Sequence, residues 1–192
     1  MKNPNLILLI STFLFACGSS NSSKSDATIL FAENADDWLE EGGADWGFEN
    51  GELVGTADSV AGLVISKSSY KNFELSLEFK PDSTINSGVF VRCEDVPSAA
   101  NCYEINIWDL HPNQDYRTGS VVTVALPLAQ VQTLNKWNTY RIKCEEGRIQ
   151  AWVNGTQTVD LANELHLQGT IALQAASVGE IRFRNVEVKE LE

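Results

Sequence analysis

Period-two alternation runs through this chain with almost no helical period, and that constrains its fold most. Phe73-Glu74-Leu75-Ser76-Leu77-Glu78-Phe79 sets apolar side chains on one face of a strand and polar ones on the other. Pro81-Asp82 ends it. Thr139-Tyr140-Arg141-Ile142-Lys143-Cys144 alternates again, and Glu146-Gly147 turns the chain into Arg148-Ile149-Gln150-Ala151-Trp152-Val153. Asn154-Gly155 is a hairpin signal, so Thr156 to Val159 pairs back. Gly169 to Gln174 and Ile181 to Val188 read as two late strands, and Leu161 to Leu165 as the one place for a short helical turn. Strands that are apolar on one face need a second layer to cover it. The expected fold is all-β, an antiparallel two-sheet jelly-roll sandwich.

The first stretch is not part of that fold. Lys2 precedes an apolar run of eleven residues, Leu6 to Ala16, which is signal-peptide anatomy and too short to span a bilayer as a helix. Leu14-Phe15-Ala16-Cys17-Gly18 resembles a bacterial lipobox, in which the Cys becomes the first mature residue and is acylated. An ordinary secretory signal with an incidental Cys is the plainer alternative. Two or more acyl chains would hold the protein on a membrane durably. Small polar residues follow with no apolar period, as in a flexible tether. The expected organisation is a lipoprotein signal peptide over 1–16, acylated Cys17 with a Ser-rich tether over 17–27, and a single sandwich domain over 28–192. The expected location is the bacterial cell envelope.

The formal net charge of −12 makes nucleic acid a poor partner and favours solubility. Of the four cysteines, Cys93 and Cys102 flank a short loop, and an exported compartment permits a bridge between them. Closing that loop would contribute about 2.7 kcal/mol in the chain-entropy picture. Strict alternation places Cys93 with Val89 and Val91 but Cys102 with Glu104, so a bridge requires a bulge or an irregular strand end. Cys144 follows Tyr140 and Ile142 at period two and reads as a buried core residue.

Function is sought on two ribbons, Asn86-Ser87-Gly88-Val89-Phe90-Val91-Arg92 and Tyr103-Glu104-Ile105-Asn106-Ile107-Trp108-Asp109. Paired as antiparallel neighbours, they would gather Gly88, Phe90, Arg92, Glu104, Asn106 and Trp108 on one sheet face. Aromatic surface with a few polar groups suits a sugar. Arg92 opposite Glu104 would equally make a structural ion pair.

These ribbons, with Trp46-Gly47-Phe48-Glu49-Asn50-Gly51, Tyr70-Lys71-Asn72-Phe73, Thr118-Gly119, Lys136-Trp137-Asn138, Gly169-Thr170-Ile171-Ala172-Leu173-Gln174 and Phe183-Arg184-Asn185-Val186, form an ordered set through the mature domain. The set resembles the 3-keto-disaccharide hydrolase family, also known as domain of unknown function 1080, with its concanavalin A-like sandwich. The resemblance implies cleavage of glycosides carrying a ketone at carbon 3. That ketone acidifies the carbon 2 hydrogen; a base removes it, the enolate expels the group at carbon 1, and water then adds. Such chemistry needs a base of tuned pKa and a positive group for the enolate oxygen, which an arginine or a divalent metal can supply.

The expected catalytic set is Glu104, Asp109, His111 and Arg92, and the expected substrate-binding set is Asn106, Trp108, Trp152 and Gln174. Asp109 faces the core side by parity but ends its strand. His111 lies in the following loop, either as an acid/base group or as a solvent-facing side chain. His166, between leucines, reads as structural. Glu104, Asp109 and His111 would be the ligands of a divalent cation, though their spacing is not diagnostic. Many members of the family follow Leu-Gln with a polar pair containing His, where this chain has Ala175-Ala176. Three functions stay open: a 3-keto-glycoside-cleaving enzyme, a non-catalytic carbohydrate-binding module, and an assembly domain at a membrane.

Overall fold

The computed structural model describes residues 27–33 and 37–192. The expected signal segment, Cys17 and all but the last residue of the tether lie outside that range. The strands are β1 Thr28–Ile29, β2 Trp38–Gly42, β3 Asp45–Glu49, β4 Glu52–Asp58, β5 Gly62–Ser66, β6 Phe73–Pro81, β7 Ile85–Cys93, β8 Tyr103–Ile107, β9 Asn138–Glu145, β10 Arg148–Val153, β11 Thr156–Ala162 and β12 Thr170–Glu190. The expected helical turn at Leu161–Leu165 is absent, and among the described residues a single 3-10 turn covers Gln114–Tyr116.

Two antiparallel layers face each other. The first sheet runs β11-β10-β9-β6-β12-β4-β3, with β1 beside β12. The second runs β2-β5-β12-β7-β8. β12 belongs to both, so the two late strands expected from sequence are one. Its first part pairs with β5 and β7, and its second with β4 and β6. Ser177 (φ 65°) and Gly179 (φ 140°) absorb the bend between the parts. Asp82 secures the same corner: its carboxylate accepts from Thr84 N at 2.7 Å, Ile85 N at 2.8 Å and Glu180 N at 2.7 Å.

Alternation explains the core. Phe73, Leu75, Leu77 and Phe79 of β6 point inward with Tyr140 and Ile142 of β9, and meet Val89, Val91, Ile105 and Ile107 of the other layer. Burying each such side chain contributes roughly 1.5–3 kcal/mol. Tyr140 also donates across the layers to Asn106 O at 3.2 Å. The hairpin at Asn154-Gly155 has both residues at positive φ, 50° and 79°, as a tight two-residue turn requires.

Strict alternation fails at one place that matters. Thr170 stands opposite Cys93 and Ala172 opposite Phe90, so Val91 and Arg92 together face Ile171. This is a β-bulge, and Arg92 takes φ 58° in it. The bulge turns Cys93 to the outer face, where it is bridged to Cys102 with Cα atoms 4.4 Å apart. It turns Arg92 inward. The guanidinium is fully buried, donating to Lys71 O at 2.8 and 3.2 Å and to His166 O at 3.4 Å. Arg92 therefore does not share a face with Glu104, because the extra residue reverses its side of the sheet.

Candidate functional site

The two ribbons lie side by side as β7 and β8, with Phe90 opposite Glu104 and Gly88 opposite Asn106. On the far edge of β7, Leu173↔Val89 and Ala176↔Asn86 put Gln174 opposite Gly88. On the free edge of β8, Asn106 N donates to Ser120 O at 3.1 Å and Val122 N to Glu104 O at 3.0 Å. The segment after the 3-10 turn thus extends the sheet. Val121 joins the core opposite Ile105, so alternation puts Ser120 and Val122 on the outer face. One row across this face reads Gln174, Gly88, Asn106, Ser120; the next reads Ala172, Phe90, Glu104, Val122.

Glu104 is the chemical centre of this face. It is 9% exposed, and among the described residues no cation or donor reaches its carboxyl. Burial alone pushes its pKa up to about 7. Its side chain lies over Gly88, where a Cβ would stand 3.2 Å from Glu104 Cγ. Gln174 Oε1 and Ser120 Oγ, one on each side of the Gly88–Asn106 pair, are buried with no hydrogen-bond partner. An orphaned buried polar atom costs about 1–3 kcal/mol, so both gain from a ligand that supplies the partner. Ser120 was not among the residues expected from sequence. Its neighbours Thr118-Gly119 carry the family resemblance, but only the pairing of that segment with β8 brings it to the site.

The remaining expected residues divide. Asn106 fastens the loop, its amide donating to Tyr116 O and its Oδ1 accepting from Ile107 N at 2.9 Å. Trp108 packs edge-on against His111 with centroids 4.4 Å apart, and His111 against Tyr116 at 5.6 Å. His111 Nδ1 accepts from Asn113 N at 3.0 Å. Asp109 turns away from this face: its two oxygens accept from Thr133 N at 2.6 Å and Thr133 Oγ1 at 2.9 Å. Its carboxylate ties the loop to the residues before β9. Trp152 projects from the outer face of the first sheet, with Arg141 stacked 3.7 Å over its ring. It lies on the opposite side of the sandwich from Glu104, since Ala151 and Val153 flanking it enter the core.

Glu104, Asp109 and His111 do not fit a shared cation, because Asp109 is turned onto Thr133. Among the described residues no group of three or more His, Cys, Asp or Glu is arranged to hold a metal ion. What the face offers instead is a carboxyl that titrates near neutrality, with a neutral amide and a hydroxyl on the same face. Such a carboxyl can take and return a proton at pH 7.

Solved structures with this architecture include proteins named for acting on or binding sugars. One provisionally named glycosyl hydrolase from Parabacteroides distasonis superposes with a TM-score of 0.67 at 25% identity, covering 81% of this chain and 100% of its own. A second from the same organism gives 0.69 at 19% identity, over 88% and 95%. A carbohydrate-binding module from Bacillus subtilis gives 0.63 at 15% identity, over 80% and 96%, a likeness of fold alone. No curated protein matches the chain by sequence. Residues 26–189 match the family described as the 3-keto-alpha-glucoside-1,2-lyase-like domain, and the chain belongs to that family.

Proposed function

We propose that this is an enzyme that opens 3-keto-glycosides by elimination and hydration, with Glu104 as the base. The observation that carries the reading is the Glu104 carboxyl, buried without a counter-ion on the outer face of the second sheet. As carboxylate it removes the carbon 2 proton. The C–H electron pair becomes the enolate, whose collapse breaks the bond to the carbon 1 oxygen. The departing alkoxide takes a proton back from Glu104. Water then adds to the unsaturated 3-keto sugar. Arg92 is engaged in the core, so the developing oxyanion is met by a neutral donor, the Ser120 hydroxyl, while Gln174 Oε1 accepts from a ring hydroxyl of the substrate. Trp108 and His111, further along the same ribbon, line the end where a leaving group would lie. We further propose that the domain is displayed on the bacterial cell envelope by a lipid anchor at Cys17.

The test is incubation of the protein with 3-keto-trehalose and 3-keto-glucosides, following release of 3-keto-glucose, with Glu104→Gln and with added chelator. Turnover lost in Glu104→Gln and kept in chelator supports the reading; turnover kept in Glu104→Gln overturns it. A second reading is favoured by one feature. Ala175-Ala176 stands where many relatives carry a polar pair containing His, and a binding module would need no such pair. That reading expects sugar affinity, weakened in Trp108→Ala, without turnover of any 3-keto substrate.

A further inference from the structure

We propose that the outer face of the first sheet is a second saccharide-binding surface, independent of Glu104, which takes a neutral oligosaccharide along a row that crosses four strands. The row is fixed by register: Glu187 of β12 stands opposite Ser76 of β6, Ser76 opposite Arg141 of β9, and Arg141 opposite Trp152 of β10. Three strand spacings make it about 14 Å long. Its centre is low because Ser76 is small, and its ends are raised by a carboxylate and an indole. A groove of about 500 Å3 follows this row, lined also by Thr139 and Asn185.

Local backbone geometry builds the groove. The pairing of β12 with β6 slips between Arg184 and Glu187, and Asn185 takes φ 51° there. The slip brings both Arg184 and Glu187 to the outer face. Arg184 then stacks 4.0 Å over the Trp137 ring and pairs with Glu78, while Arg141 stacks over Trp152 and pairs with Glu74 at 3.1 Å. Each indole is thereby held by a guanidinium on one face, so its orientation is set before any ligand arrives.

Charge selects the ligand class. Arg141, the one arginine that lines the groove, and Arg184 beside it already have carboxylate partners, so neither is left for an anionic ligand, and the molecule carries a net charge of −12. Among the described residues the Glu187 carboxylate has no partner. A free carboxylate, hydroxyls and an amide beside an indole match the alternating hydroxyls and C–H faces of a neutral sugar chain.

The experiment is isothermal titration calorimetry of the full protein with cellopentaose, maltopentaose, xylopentaose and laminaripentaose, and with trigalacturonate as the anionic comparison. The expected result is binding of at least one neutral pentasaccharide, weakened about tenfold or more in Trp152→Ala and unchanged in Glu104→Gln. Ser76→Gln, which fills the centre of the groove and leaves the indole in place, should weaken it as well. Absence of binding by all four neutral chains overturns the proposal. So does binding that is lost in Glu104→Gln but kept in Trp152→Ala, or tighter binding of trigalacturonate. None of these outcomes bears on turnover at Glu104.

Discussion

The carboxyl of Glu104 rests over Gly88, on the neighbouring strand: a Cβ at position 88 would stand 3.2 Å from its Cγ and 3.3 Å from its Oε1. Gly88 is in an extended strand, so alanine is sterically allowed by the backbone and the crowding falls on the carboxyl. Gly88→Ala should leave folding almost unchanged and lower kcat/KM for a 3-keto-glycoside by up to about tenfold, because the carboxyl must give by a few tenths of an ångström and a full ångström of misplacement costs about a hundredfold. Steady-state kinetics beside a urea melt separates the two.

Glu104 makes stability depend on pH. Its carboxyl is neutral in both states below about pH 4.5; the unfolded chain ionises first as pH rises, while the folded one holds its proton to about 7. Stability should therefore fall as pH rises across that window, by ~3 kcal/mol in total. Glu104→Gln should flatten this limb and be the more stable protein at pH 8. Urea midpoints from pH 4 to pH 8 measure it. In the active protein the same group predicts a kcat/KM that rises with pH through about 7.

Arg92 is expected to act through folding. Arg92→Met leaves the Lys71 and His166 carbonyls without donors and should destabilise by ~3 kcal/mol. Arg92→Lys should rescue little, because one ammonium cannot reproduce the fork that reaches both carbonyls. The folded fraction should keep its kcat; a kcat loss in folded protein would return Arg92 to the active site.

Asp82 should govern the acid limb. Burial alone would raise its pKa, but the N–H groups of Thr84, Glu180 and Ile85 and the Thr84 hydroxyl outweigh that and lower it. Its contribution is complete above the unfolded pKa near 3.8 and is lost as pH falls through the lower folded value. Asp82→Asn should remove part of the acid-induced loss of stability, seen by far-UV circular dichroism below pH 4.

Alternation made much of this molecule legible from its letters. It pairs β7 with β8, lays Glu104, Asn106 and Trp108 along one face, and turns Asp109 away from it. It fails where one residue too many enters a strand. Nothing in Val91-Arg92-Cys93 announces a bulge; it forms against Gly169, where a Cβ would stand 2.3 Å from Cys93 O, so the approach of a distant segment decides it. The bridge between Cys93 and Cys102 was the one hint, since straight strands would have kept those sulfurs on opposite faces. Trp152 shows a second limit. Period two tells inside from outside, but a sandwich has two outsides, and only the strand order assigns one. Ser120 sits in a segment without strand pattern and becomes a site residue only through its pairing with β8.

β12 follows, in chain order, every strand it joins: β1, β4, β5, β6 and β7. Neither layer can be completed before β12 has been made, however early the other hydrophobic segments appear. The β6-β9-β10-β11 and β7-β8 pairings need no part of it, but they are joined into layers only once residues 170–190 are in place. A stop codon at the start of that stretch would remove the common seam of the whole architecture, not trim an edge.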